Sequence, residues 1–226
     1  MKALRAISQA ATDAPGGPLE HSGMVRAGDS FAGAVGNSGA VSGVVPLAPD
    51  KWRVPASVTI SRSMSIVGFS KETTLERPRG GTTTPILVTG DDVTIENLTI
   101  RTESGTGRSA ADVAITVTGD RCIIRNVSFI GFATAISVSG ATHFRIEGCD
   151  IRSQTGVAIN IDNGDYGIVS NNIIATNATG NEIDLDSNSQ YNSVTGNSAG
   201  AGAISIATSG GQLNKYAGNV PTASTT

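Results

Sequence analysis

Apolar residues in this chain recur two apart in short bursts. Ile115 and Val117, Ile136 and Val138, Ile159 and Ile161, Ile183 and Leu185, and Ile204 and Ile206 each flank a small or polar residue. A period of two predicts strands, because alternate side chains then share one face. Each pair sits in a motif of the type Ile-x-Val-x-Gly, seen as "VTISR", "ILVTG", "AITVTG", "AISVSG", "AINIDN", "EIDLDS" and "AISIAT". A second series keeps the same register: "MSIVGFSK", "VTIENLTI", "CIIRNVSF", "FRIEGCDI", "GIVSNNII", "NSVTGNSA" and "NKYAGNVP". Anchored on its fifth residue, it runs Gly68, Asn97, Asn126, Gly148, Asn171, Gly196 and Gly218, in steps of 29, 29, 22, 23, 25 and 22.

Periods in the twenties indicate a solenoid. A strand-helix crossover unit takes about 30 residues or more, so helix-based repeats are excluded. The Leu-x-x-Leu-x-Leu frame of leucine-rich repeats is missing. What remains is an all-β parallel β-helix of about eight coils, with like positions stacked about 4.8 Å apart along the axis. A hydrophobic content of 38 % suits a narrow core of this kind, and 226 residues in one continuous solenoid favour a single domain.

The expected organisation is an N-terminal arm over residues 1–28, a capping helix segment over 29–43 with Asp29 or Ser30 as its cap, the β-helix over 44–221 with a first strand at Val44 to Leu47, and a tail over 222–226. Two insertions, "KETTLERPRGGTTT" and "TESGTGRSAAD", read as loops carrying Lys71, Arg77, Arg79, Arg101 and Arg108, which form a basic cluster if the loops fold together. Along one column Phe69, Leu98, Val127 and Cys149 give way to Asn172, Asn197 and Asn219, which predicts an interior asparagine ladder. Cys122 and Cys149 fall at different repeat positions and read as small buried apolar residues, not as a disulfide.

A net charge of −3 excludes nucleic acid as an expected partner. No segment is apolar enough to span a membrane, and "MKALRAISQAATDAPGG" lacks the apolar run of a secretory signal.

The stretch "VVPLAPDKWRVPASVTISRSMSIVGFSKETTLER" resembles the opening of the pectate-lyase-like right-handed β-helix superfamily, and in particular its phage tailspike and head or tail fibre members. Asp50 and Lys51 stand where Gly and Thr are usual, and Trp52 replaces Tyr. The resemblance implies a right-handed coil and, from the spikes, a homotrimer. That superfamily spans lyases, hydrolases, epimerases and non-enzymatic adhesins, so chemistry has to come from side chains.

Outward positions supply one candidate cluster. With Ile159, Ile161, Ile183 and Leu185 inward, Asp162, Glu182, Asp184 and Asp186 are expected on the outer face. Asp162 and Asp186 occupy equivalent positions about 5 Å apart, with Asp184 roughly 7 Å away, separations that suit the carboxyl pair of a glycosidase. Asp162, Asp184 and Asp186 are therefore the catalytic candidates. His143, Tyr166 and Tyr191 share one repeat position and form a candidate saccharide-binding ladder. The same carboxylates also suit a calcium ion or a solvated, subunit-facing patch; no metal or other cofactor is expected. The preferred reading is a structural virion-surface protein, made in the host cytoplasm, whose arm docks on capsid or tail proteins and whose β-helix projects outward, with host surface polysaccharide as a possible ligand. The alternative is a polysaccharide depolymerase of tailspike type.

Overall fold

Each alternating segment forms a strand of a few residues, and each strand hydrogen bonds in parallel to its counterpart one coil away. The structure, a computed structural model, describes residues 30–37, 43–78, 83–103, 112–152, 156–175, 182–199 and 213–221. Three parallel sheets wrap one core. The first stacks eight strands, from Val44–Leu47 through Ser65–Gly68, Thr94–Glu96, Ile123–Arg125, Arg145–Glu147, Ile168–Ser170 and Ser193–Thr195 to Lys215–Ala217. The second stacks eight from Lys51–Arg53 to Val220–Pro221. The third stacks Val58–Ile60, Ile86–Val88, Val113–Val117, Thr134–Ser139, Ile159–Asp162 and Ile183–Leu185.

The chain is thus a parallel β-solenoid in which six coils carry a strand of all three sheets among the described residues. This is fewer than the expected eight, and residues 203–208, where a seventh third-sheet strand was expected, lie outside the described residues. The expected arm over 1–28, the tail over 222–226, Asp29, Arg79 and Arg108 lie outside them too. No helix among the described residues is long and apolar enough to cross a membrane.

The core is a set of columns, each made by one repeat position. Ile60, Val88, Val117, Val138, Ile161 and Leu185 form one of them, all buried. At the N-terminal end the helix Phe31–Asn37 lies against the first third-sheet strand and buries Phe31, Ala34 and Val35. Ser30 caps it: its hydroxyl accepts from Gly33 N–H at 3.0 Å. Arg62 of the first coil donates to the carbonyls of Val35 and Gly36 at 3.0 and 2.8 Å, satisfying the helix's other end.

Asparagine forms two interior columns, where the repeat suggested one. In the first, Asn197 Oδ1 accepts from the Asn172 backbone N–H at 3.0 Å and from Asn172 Nδ2 at 2.9 Å. Asn197 Nδ2 in turn donates to Val169 O at 2.9 Å and to Asn219 Oδ1 at 3.0 Å. The second runs Val93, Cys122, Phe144, Gly167, Asn192 and Asn214; Asn192 Oδ1 accepts from Gly167 N–H at 2.7 Å and its Nδ2 donates to Gly164 O at 2.7 Å. Cys122 and Cys149 are free and buried in separate columns, and burial pushes the Cys149 thiol up to about 12. Gly167 has no alternative: a Cβ there would lie 2.1 Å from Phe144 Cζ, because the Phe144 ring fills the space beneath it.

Three expectations need correction. Phe69 does not head the asparagine column but is 70 % exposed; the turn after Gly68 is four residues longer than in later coils, and buried Thr73 takes the column position instead. "KETTLERPRGGTTT" is not all loop, since Thr74–Arg77 is a strand of the second sheet with every residue buried. The basic cluster is correspondingly absent among the described residues. Arg77 is buried against Asp112 at 2.9 Å with its guanidinium 5.0 Å above the Phe132 ring, and Arg101 donates to Glu76 at 2.8 Å. A buried cation is tolerable only when paired in this way.

Replacing Asn197 by Ala strands the buried Asn172 N–H and Val169 carbonyl, each worth about 1 to 3 kcal/mol when unmet. We expect a loss of about 3 to 5 kcal/mol, read as a lowered guanidinium midpoint, and no rescue by Asn197→Leu, which refills the volume without an acceptor.

Candidate functional site

The corner between the third and first sheets is built from residues that ordinarily avoid its backbone conformation. Equivalent positions in five successive coils hold Asp92, Arg121, His143, Tyr166 and Tyr191, with φ of 55°, 55°, 58°, 56° and 58°. This is the left-handed region, which Asn, Asp and His visit occasionally and bulky side chains rarely. The corner between the first and second sheets has the same φ but fills the position with Asn97, Asn126, Gly148, Asn171, Gly196 and Gly218, residues that adopt it at little cost. Tyrosine at such a position costs of order 1 kcal/mol or more, a cost that marks sites where the side chain is needed.

The three candidate aromatic residues form one column. His143 stacks on Tyr166 with ring centroids 5.1 Å apart and planes 12° from parallel; Tyr166 stacks on Tyr191 at 4.8 Å and 1°. Tyr166 and Tyr191 are 49 % and 46 % exposed. Since the facing ring surfaces cover one another, the column offers solvent mainly its ring edges and phenol hydroxyls. Below His143 the column continues as Arg121, held by Asp92 at 2.8 Å and Asp91 at 3.3 Å, so this cation is already neutralised.

Asp162 lies four residues ahead of Tyr166, and Asp184 and Asp186 lie seven and five ahead of Tyr191. Asp162 ends its strand and is exposed; Asp186 is its partner in the next coil, half-buried, and donates its N–H to Ile161 O at 2.9 Å. Hydrogen bonding to Asp186, reinforced by that group's charge and slight burial, raises Asp162 above its ordinary value of 3.8. Burial pushes Asp186 up, but the Ser189 hydroxyl, the Asn163 N–H and Asp162 outweigh it and hold Asp186 low. The two carboxyls are therefore shifted in opposite directions, so that Asp186 gives up its proton before Asp162 does.

Asp186 is also a turn brace. Asp186 Oδ1 accepts from Asn163 N–H at 2.9 Å and Ser189 Oγ at 2.6 Å, and Oδ2 accepts from Asn188 Nδ2 at 3.2 Å. Ser189 was missed in the sequence, although the Asp-x-x-Ser spacing of a side-chain-braced turn was its signal. Asp184 stands beside Asn160 on the outer face of the third sheet, half-buried and two residues from the pair.

Glu182, expected outward, is buried. The strict alternation fails at the entrance to the third sheet, where the chain bends and two consecutive residues face inward: Ala114 with Ile115, Ala135 with Ile136, Ala158 with Ile159, and Glu182 with Ile183. Among the described residues no group of three or more His, Cys, Asp or Glu is arranged to hold a metal ion.

Residues 84–221 match the family described as right handed beta helix region. No curated protein sequence matches the chain. Among solved structures, the catalytic domain of a GH87 alpha-1,3-glucanase in complex with nigerose is similar at TM-score 0.68 and 17 % identity, over 91 % of this chain and 39 % of that one. The Agl-KA catalytic domain is similar at TM-score 0.64 and 15 % identity, over 88 % and 46 %. A pectin methylesterase in complex with a hexasaccharide is similar at TM-score 0.51 and 15 % identity, over 76 % and 75 %. At these identities the likeness is one of fold, and the chain spans less than half the length of the first two.

The carboxyl pair has a measurable signature. Asp162, raised in the folded state, contributes stability that is lost as the pH climbs from the ordinary carboxylate range through its raised value. Asp186, held low, contributes stability present above the ordinary range and lost as the pH falls through its lowered value. Carboxyl NMR titration should show Asp162 returning toward the ordinary range in Asp186→Asn; an unchanged titration would assign the shift to another cause.

Proposed function

The chain belongs to the right-handed β-helix family, and we propose that it is an adhesive surface protein that holds a polysaccharide at the corner carrying His143, Tyr166 and Tyr191. One observation carries the reading: two exposed tyrosines sit in left-handed backbone where Asn or Gly would relieve strain. A merely structural turn would use the residues found at the opposite corner.

The tyrosine hydroxyls, and the exposed carboxyl of Asp162 four residues ahead of Tyr166, are groups of the kind that hydrogen bond sugars. Solved proteins of similar fold carry a disaccharide and a hexasaccharide, which supports a saccharide for this chain as well. The resemblance of the opening coils to phage spikes and fibres supports a virion-surface setting, with the N-terminal arm attaching to capsid or tail, the β-helices associating as a homotrimer, and a host surface polysaccharide as the ligand.

Hydrolysis is the second reading, favoured by the opposite shifts of two neighbouring carboxyls, Asp162 up and Asp186 down, since a glycosidase uses one carboxyl as an acid and the other as a base or nucleophile. Against it stands the commitment of Asp186 to bracing its turn, which leaves that carboxylate poorly placed to attack or to activate water.

The test is retention of the full chain on immobilised polysaccharides, together with an assay for new reducing ends. We expect Tyr166→Asn and Tyr191→Asn to weaken retention by at least about tenfold, while stability stays within about 1 kcal/mol because lost stacking offsets relieved strain. Asp162→Asn should retain binding, and no reducing ends should appear. Release of reducing ends that stops in Asp162→Asn would replace adhesion with hydrolysis.

A further inference from the structure

We propose that Tyr166 and Tyr191 are an oxidative cross-linking site: a one-electron oxidant joins them as an intrachain dityrosine that fastens two successive coils. The inference is independent of the saccharide reading and rests on ring geometry alone.

The two rings lie 4.8 Å apart and 1° from parallel, with the Tyr166 N–H bond to Gln190 O at 3.1 Å tying their backbones together. Stacked phenoxyl radicals meet face to face, so the first bond can form between ortho carbons across the stack, and the rings then swing to the edge-to-edge geometry of the product, a motion open to side chains that are about half exposed. The same exposure lets an oxidant reach both ring edges. The remaining tyrosine, Tyr216, pairs in register with Val194 and belongs to a different column, so it has no stacked tyrosine partner among the described residues.

The chemistry balances with a peroxide as the oxidant. Each phenol gives up one electron and one proton, and the two resulting radicals couple through a bond between ortho carbons. The hydrogens on those carbons then move to the oxygens, restoring both phenols. Overall two ring hydrogens are lost and one hydrogen peroxide is reduced to two waters. The new bond encloses about 25 residues. Closing a loop of that length lowers the entropy of the unfolded chain and should reduce the unfolding constant by about two orders of magnitude. In a solenoid each coil is stabilised mainly by its neighbours, so a bond between adjacent coils blocks their separation directly.

The experiment oxidises the dilute full chain with a haem peroxidase and hydrogen peroxide, using a mixture of isotopically light and heavy protein, and maps cross-links by peptide mass spectrometry. The expected product joins the Tyr166 and Tyr191 peptides within one chain, light to light and heavy to heavy, with two hydrogens lost. It should vanish in Tyr166→Phe and in Tyr191→Phe, which keep the stacked rings, persist in Tyr216→Phe, and disappear when oxidation is carried out in guanidinium. Mixed light-heavy links, a dominant link through Tyr216, or an equal yield from the denatured chain would each overturn the proposal.

Discussion

The parallel stacking of coils governs everything else in this molecule. Because each coil repeats the path of the one below at about 4.8 Å, every side chain meets its own repeat position along the axis. Like therefore falls on like. For isoleucine and valine the result is a continuous dry column; for asparagine it is a chain of amides, each accepting from one coil and donating toward the next. Aromatic rings stack. Carboxylates are the case in which the rule is unfavourable, and it shows in Asp162 and Asp186 as opposite shifts, the first up and the second down.

The two corners flanking the first sheet show how one backbone shape serves two ends. Both take a left-handed residue in at least five successive coils. One supplies it with Asn and Gly, and two of its asparagines bond from coil to coil, in the 2.6 Å link from Asn126 to Asn97. The other accepts Arg121, Tyr166 and Tyr191 at a local cost, secured by the hydrogen bonds on either side of the turn. Support for that strained corner comes from Asp120, Asp165 and Asp186, whose carboxylates accept the N–H groups of Thr142, Gln190 and Asn163. Asp186, which looks like one of a catalytic set in the sequence, is thus also part of the masonry of the turns.

Much of the fold was legible because the repeat is periodic in two, and the columns of Ile, Val and Asn follow from alignment alone. What alignment could not give was each departure from the period. Glu182 was misplaced because the bend into the third sheet turns two consecutive residues inward. The strand Thr74–Arg77 was hidden because its buried charges, Glu76 and Arg77, find partners in Arg101 and Asp112 that lie 25 and 35 residues away. At the candidate site the shared column of His143, Tyr166 and Tyr191 could be read from spacing, whereas the left-handed backbone and the bracing by Ser189 needed coordinates.

The Phe144 ring reaches out of its own coil into the room left by Gly167. Elsewhere the coils are nearly interchangeable units, so a chain of this kind could lengthen or shorten by whole repeats at modest cost. Between these two coils that freedom is gone: a duplicated or deleted unit would set an aromatic ring against a residue with a side chain, or leave the glycine over an empty space. The pair acts as a key and its slot, fixing the order of the modules at this joint.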